Sequence, residues 1–360
     1  MPLTCLDLVD EAEALALVGP DAEMFTMGGA VVAFGSAELV VIADAVDSVT
    51  TSCVWNSREL RLYGPGPVKL AARIWDVGTR LPLHVFIRLG GGCVYLGTAR
   101  PGTGQWSDSE VLLCVLHLDS PLGQEVLDRV RPSGPSSVLP GLEWLDHVNT
   151  DRGRALELFV KGWFPATGAE GPVTEIPASV PWALANLYRL AARHPAVLGR
   201  QNGILPANGL LLDDSAERLA FGVENQGGWT WSFLWQPGAI DTDPTVWCED
   251  DQPVPEQEPL SAFLLQFQLH EAALTAPYLA LSHDVPRDSL PVLEDCLRRV
   301  PLRPFLSSIA PRDFLVGPGL VADVTPDWDE STLQVWIGAT HRSALYPLRR
   351  LDIPWSRFDG

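Results

Sequence analysis

The stretch 219–246, LAFGVENQGGWTWSFLWQPGAIDTDPTV, constrains the fold more than any other part of the chain. Leu219, Phe221 and Val223 alternate with Ala220 and Gly222. Trp229, Trp231, Phe233 and Trp235 then alternate with Thr230, Ser232 and Leu234. A period of two with one strongly apolar face predicts two β-strands, because successive side chains of a strand point to opposite sides of its sheet. Between them lies Glu224-Asn225-Gln226-Gly227-Gly228. Its glycines and asparagine suit the positive φ angles of a tight hairpin connection. Glu224 and Gln226 are not required by such a turn, and that makes them candidates for recognition.

The flanking residues extend the pattern. Ile176-Pro177 leads into a helical spacing, Trp182, Leu184, Ala185, Leu187, Tyr188 and Ala191, with Pro181 suited to a first-turn position. Arg200-Gln201-Asn202-Gly203, Leu205-Pro206 and Leu210 follow. After the hairpin come Asp243-Pro244-Thr245-Val246, an acidic proline-rich segment predicted as a loop between Cys248 and Leu260, and Leu260-Ser261-Ala262-Phe263-Leu264. Ser261 is placed to cap the helix that this last piece opens. In this order and spacing, the pieces from Val173 to Leu274 resemble the SUKH superfamily. Thr245 departs from the second proline or small residue usual after Asp-Pro there, and the resemblance does not reach the N-terminal half.

The resemblance implies a mixed sheet with flanking helices and a non-catalytic binding role. Members of that superfamily include immunity proteins that neutralise polymorphic bacterial toxins, often nucleases, by direct occlusion. It makes Glu224, Gln226, Trp229, Trp231, Asp241, Asp243, Glu249, Asp250 and Asp251 the candidate partner-binding residues. Trp229 and Trp231 are divided between core and interface, and the acidic segment between solvated connection and contact surface. A regulatory scaffold that binds a cellular protein is the second function the resemblance permits.

Charge narrows the partner. Across 360 residues there are 45 acidic against 25 basic side chains, a formal net charge of −20. Such a field repels nucleic acid and anionic membrane surfaces and attracts a basic protein, although solubility alone also accounts for it. The amino terminus has no basic segment followed by an apolar run, and Ala30–Val46 is broken by Gly35, Ser36, Glu38 and Asp44. A cytoplasmic protein without a membrane span is expected.

The chain reads as α+β, in three parts. Residues 1–130 form a strand-rich domain, with apolar runs at Gly29–Phe34, Glu38–Ala43, Val68–Trp75, Pro82–Leu89, Cys93–Thr98 and Val111–Leu118. Short strands at this interval predict a sandwich or small barrel, closed by a helix over Pro121–Val130. Residues 131–172 read as a linker and bridging helical segment. Residues 173–360 read as the SUKH-like domain with a C-terminal extension, whose expected elements include a helix over Ser289–Val300 and strands over Gly319–Val324 and Thr332–Ala339.

Catalytic and metal motifs are sparse. The seven histidines form no HExxH or His-Cys spacing, there is no GxSxG, and the six cysteines are scattered without CxxC pairs. Gly90-Gly91-Gly92 lies between strands with no helix or Gly-Lys-Ser after it, which argues against a phosphate cradle. Asp241 with Asp243, and Asp213 with Asp214, are paired carboxylates typical of loops. No cofactor and no metal is expected. A carboxylate-dependent hydrolase built on Glu224, Asp241 and Asp243 is the enzymatic alternative. His270 and Glu271 are adjacent on a predicted helix and therefore face different sides.

Overall fold

The computed structural model describes residues 3–44, 53–55, 57–77, 80–107, 109–130, 138–166, 176–177, 180–235, 241–250, 252–306, 310–327 and 331–360. The protein is α+β, and it divides into two compact units, Met1–Pro135 and Ser136–Phe358. Within the second unit the segment Glu143–Trp163 belongs to the core rather than standing apart as a bridge. Among the described residues no helix is long and apolar enough to cross a membrane.

The first unit runs β1 (Leu8–Val9), α1 (Glu11–Ala16), β2 (Glu23–Met27), β3 (Ala30–Phe34), β4 (Leu39–Asp44), β5 (Cys53–Trp55), β6 (Glu59–Pro67), α2 (Val68–Val77), β7 (Leu83–Leu89), β8 (Gly92–Trp106), β9 (Glu110–Leu118) and α3 (Gln124–Val130). Its nine strands make one sheet in the order β2-β3-β4-β7-β8-β9-β6-β5, with β1 on β8. A Cβ on Gly66 of β6 would come within 3.1 Å of the Met27 side chain on β2, so the sheet curls to a near-closed barrel. The period-two pattern explains how both faces are filled. Leu39, Val41 and Ala43 of β4 enter the inner core, while Val40 and Ile42 pack outward with Ala14 of α1 and Phe86.

The strand expected over Val68–Trp75 is instead helix α2. Leu70 and Ile74, one helical turn apart, are both fully buried on the sheet. Lys69 and Arg73, also one turn apart, both pair with Glu23 of β2, the latter at 3.2 Å. In so short a segment the apolar residues satisfy either period, and the packing surface selected the helical one.

The second unit opens with a 3-10 turn over Glu143–His147. It continues with α4 (Arg152–Trp163), α5 (Trp182–Ala191), β10 (Gly203–Ile204), β11 (Leu211–Leu212), β12 (Arg218–Val223), β13 (Thr230–Leu234), β14 (Thr245–Glu249), β15 (Val254–Pro259) and α6 (Leu260–Thr275). Then come β16 (Tyr278–Pro286), α7 (Leu290–Cys296), β17 (Arg298–Arg299), β18 (Asp313–Gly317), β19 (Leu320–Pro326), β20 (Thr332–Ala339) and β21 (Arg357–Phe358). Two antiparallel sheets result, one in the order β10-β12-β13-β14-β15 with β11 on β12, the other β17-β18-β19-β20-β16-β21.

Helix α6 is the axis of this unit. Every residue from Leu260 to Ala273 is buried, as a helix apolar on all sides must be. Phe263 and Phe267 pack against Trp231 of the first sheet, with ring centroids 5.7 and 5.9 Å away. Phe263 also meets Phe305, which in turn meets Phe314 of β18. Each fully buried Leu or Phe of this kind contributes roughly 1.5–3 kcal/mol relative to exposure, so the helix ties the two sheets together.

The segment predicted as an acidic loop before α6 contains a strand, β15. Its acids alternate inward. Glu256 accepts the Leu306 N–H at 3.0 Å, and Glu258 accepts the Arg303 N–H at 3.1 Å and pairs with Arg152 at 3.2 Å. The sequence reading missed the strand because acids and prolines mark solvated loops unless buried donors are waiting for them.

Candidate functional site

The hairpin of β12 and β13 closes through Glu224–Gly228. Glu224 donates its backbone N–H to the Trp229 carbonyl at 3.1 Å, and Gly227 has a φ of +72°, a conformation that glycine adopts without steric cost. The Glu224 carboxylate then braces the turn from within, its Oε2 accepting the N–H groups of Gln226 and Gly228 at 2.8 and 3.1 Å. Residues Asn225 to Gly228 are exposed.

A second carboxylate holds the turn from below. Glu271 of α6 is 1 % exposed. Its Oε2 accepts the backbone N–H groups of Arg200 and Gln201 at 2.7 and 2.8 Å, and its Oε1 accepts the backbone N–H and the side-chain amide of Asn202 at 2.8 and 3.2 Å. Gly199 opens this bend with a φ of +97°, and a Cβ there would lie 1.9 Å from the Asn202 carbonyl oxygen, so no other residue fits. The Asn202 Oδ1 in turn accepts the Asn225 N–H at 3.3 Å. A chain of hydrogen bonds, charge-assisted at Glu271, therefore runs from α6 through Asn202 to the exposed turn.

Beside this chain is a cavity of about 230 Å³ between the two sheets of the unit. Gln201, Asn202, Glu224, Trp229 and Trp231 line one side. His270 and Leu274 of α6, Arg312, Asp323 and Thr325, and Gln334 and Trp336 of β20 complete it. Asp323 is 2 % exposed and binds three partners: His270 Nδ1 at 2.7 Å, Arg312 Nη1 at 3.1 Å and the Thr325 hydroxyl at 3.1 Å. Burial by itself raises the Asp323 carboxyl, but the His270 hydrogen bond and the Arg312 charge outweigh it and hold the group below its ordinary range. An ionised carboxylate can only accept, so the His270 Nδ1 carries the hydrogen of that bond.

Of the nine sequence-nominated residues the structure brings three, Glu224, Trp229 and Trp231, to this cavity. Trp231 is also core, at 1 % exposure, and Trp229 stands edge-on to it at 6.0 Å and 89°. Gln226 sits on the exposed turn. Asp243 is at the start of α6, where its Oδ1 accepts the Ser261 N–H at 2.8 Å and its Oδ2 the Ser261 hydroxyl at 2.7 Å. The cap of α6 thus comes from Asp243, and Ser261, expected to supply it, is a donor inside the helix. Exposed Asp241 braces Asp243, accepting its N–H at 3.1 Å. Glu249 lies in β14 opposite Thr230, paired with Arg218 at 3.2 Å and accepting the Ser232 hydroxyl. Asp250 follows it at the exposed end of the strand, and Asp251 falls outside the described residues.

Asp243→Ala is expected to destabilise the second unit by about 1–2 kcal/mol, the usual loss for a helix cap, whereas Asp241→Ala should stay within roughly 0.5 kcal/mol. Urea midpoints of the two variants, read by tryptophan fluorescence, check this; equal shifts would remove the capping role from Asp243.

Sequence reasoning missed Asn202, His270, Glu271, Arg312, Asp323, Gln334 and Trp336 as site residues. One signal was available. Gln266, Gln268, His270 and Glu271 interrupt a helix otherwise apolar on every side, and polar groups in such a place must have partners. Among the described residues no group of three or more His, Cys, Asp or Glu is placed to hold a metal ion. Asp241 and Asp243 do not line the cavity with Glu224, so those three carboxylates are not assembled at one centre. No family model, no curated protein and no solved structure matches the chain.

Proposed function

We propose that this chain is a non-catalytic binding protein that acts in the cytoplasm by occluding a basic protein partner, most simply a bacterial toxin domain. The observation that carries the reading is the exposed 225–228 turn. A hairpin of this length closes without outside help. Here a carboxylate within the turn and a buried carboxylate on the central helix both fix it, which is how a recognition loop is held in its bound shape before contact. The net charge of −20 supports a basic partner, since an acidic surface speeds encounter with one. The resemblance to SUKH immunity proteins supports a toxin as that partner.

The test begins with capture on tagged protein at low and moderate salt, with bound proteins identified by mass spectrometry. The association rate of the recovered partner is then measured with wild type and with the double variant Asn225→Lys, Gln226→Lys. These side chains are exposed, so the fold should be unaffected. Adding two positive charges should slow association about tenfold or more at low salt and flatten its salt dependence. An unchanged rate would remove the turn from the interface. Recovery of a housekeeping protein in place of a basic toxin domain would turn the reading toward a regulatory scaffold.

A further inference from the structure

We infer that the cavity beside the turn receives one primary alkylammonium group, the end of a lysine side chain on the basic partner. This rests on the occlusion reading and gives that partner its point of entry. Glu224 joins the two features, since it braces the turn and also lines the cavity. The opposite wall comes from the second sheet. There Asp323 stands across from Trp336, and Thr325 from Gln334, so these four side chains share one face.

Two acceptors open onto this space without a partner among the described residues. His270 is 6 % exposed, and its Nδ1 gives its hydrogen to Asp323, which leaves a lone pair on Nε2 of the neutral ring. Glu224 commits Oε2 to the N–H groups of the turn, which leaves Oε1. Neither atom is sealed from solvent, whereas the indole N–H groups of Trp229, Trp231 and Trp336 all are. The tryptophans therefore turn ring carbon to the cavity. Arg312 is already bonded to Asp323. An acceptor left open in so buried a place calls for a ligand that brings N–H groups.

Charge makes that ligand a cation. Glu224 and Asp323 are two carboxylates against the guanidinium of Arg312, so with His270 neutral the walls keep one negative charge in excess. An anion would face lone pairs. A bare metal ion lacks ligands, because among the described residues no three His, Cys, Asp or Glu groups come together to hold one. A quaternary ammonium brings no N–H for either acceptor. A guanidinium spreads its donors in one plane and suits both oxygens of a single carboxylate, but here the two acceptors sit on different elements and Glu224 has one oxygen left. A lysine ammonium turns three donors on a flexible four-carbon stem, and indole carbon both covers the stem and attracts the charge. About 230 Å³, on the order of seven waters at roughly 30 Å³ each, has room for one such side chain.

The full chain is titrated, by calorimetry and by ligand-observed NMR, with n-butylammonium chloride and with lysine blocked at both backbone ends. Tetramethylammonium, n-butylguanidinium and inorganic phosphate are the comparison probes. Butylammonium and blocked lysine should both bind saturably, with a Kd on the order of 1–10 mM for ligands so small, and more tightly than any comparison probe. Glu224→Gln can keep an acceptor on the turn while its NH₂ group faces the cavity, and Gln334→Lys supplies a competing ammonium from the wall itself. Each should weaken binding about tenfold or more with an unchanged thermal midpoint. No binding of blocked lysine up to roughly 50 mM, equal or tighter binding of a comparison probe, or wild-type affinity in both variants would overturn the proposal. Butylammonium binding without blocked lysine would make the cavity a site for a free amine and overturn the assignment to a partner side chain. Asn225 and Gln226 do not line the cavity, so slowed association of their double variant without lysine binding would keep the occlusion reading and remove this one.

Discussion

Glu271→Gln should unfold the second unit at a denaturant concentration far below wild type, a loss of about 3–5 kcal/mol, although the two side chains have the same shape. Both Glu271 oxygens are committed to two donors each: Arg200 N–H and Gln201 N–H on one, Asn202 N–H and Asn202 Nδ2 on the other. Whichever way glutamine turns, its NH₂ group faces two N–H groups in a buried site, and donors left without acceptors cost about 1–3 kcal/mol apiece. Alanine should cost at least as much, because it removes the acceptor of all four donors. Urea unfolding followed by tryptophan fluorescence, which reports mainly the second unit, is the measurement. If Glu271→Gln is tolerated within about 1 kcal/mol, the carboxylate charge is not what holds the 200–202 bend. The same variant should loosen the 225–228 turn, visible as faster amide exchange at Asn225, because the bond from Asn202 to Asn225 depends on Asn202 being fixed.

Asp323→Ala is the second large effect, about 3–5 kcal/mol, because it removes the buried carboxylate that accepts from both the His270 ring and the Arg312 guanidinium. Its dependence on pH follows from the depressed Asp323 carboxyl. Between its folded value and the ordinary one near 3.8 the unfolded chain binds the proton that the native protein does not. The stabilisation from this carboxylate is therefore complete above about pH 4 and disappears as pH falls through the lower folded value. The gap in unfolding free energy between wild type and Asp323→Asn should accordingly be constant near neutrality and narrow in acid. A gap that stays the same down to about pH 3 would mean that the Asp323 carboxyl titrates alike in the folded and the unfolded chain, so that its partners do not favour the ionised form.

Much of the fold was legible from apolar period alone. The 218–234 hairpin, α3, α5 and strands β3, β4, β7, β9, β19 and β20 follow from the apolar spacings of their own residues. Errors fell where two structures were compatible with the same residues. Val68–Trp75 could meet a sheet as strand or helix, and Glu23 together with the inner face of the barrel selected the helix. Ser289–Val300 was read as one helix, and it ends at Cys296 because Arg298 and Arg299 pair with β18. Glu256 and Glu258 mimicked a solvated loop because their partners, Leu306, Arg303 and Arg152, lie far away in sequence.

The same divide runs through the candidate site. Sequence by itself determined the hairpin, its glycine-bearing turn, the aromatic strand after it and the singling out of Glu224, Trp229 and Trp231, since each rests on residues within one local repeat. It also determined the acidic balance that disfavours a nucleic-acid partner. Only the tertiary structure decided what those residues face. Glu271 of α6 holds the 200–202 bend from which Asn202 reaches the turn, His270 meets Asp323 over 53 positions, and Trp336 joins Trp229 and Trp231 from another sheet. Side-chain partners so far apart leave no periodic trace, because the two sides of a hydrogen bond or a cavity wall are matched in space and not along the chain.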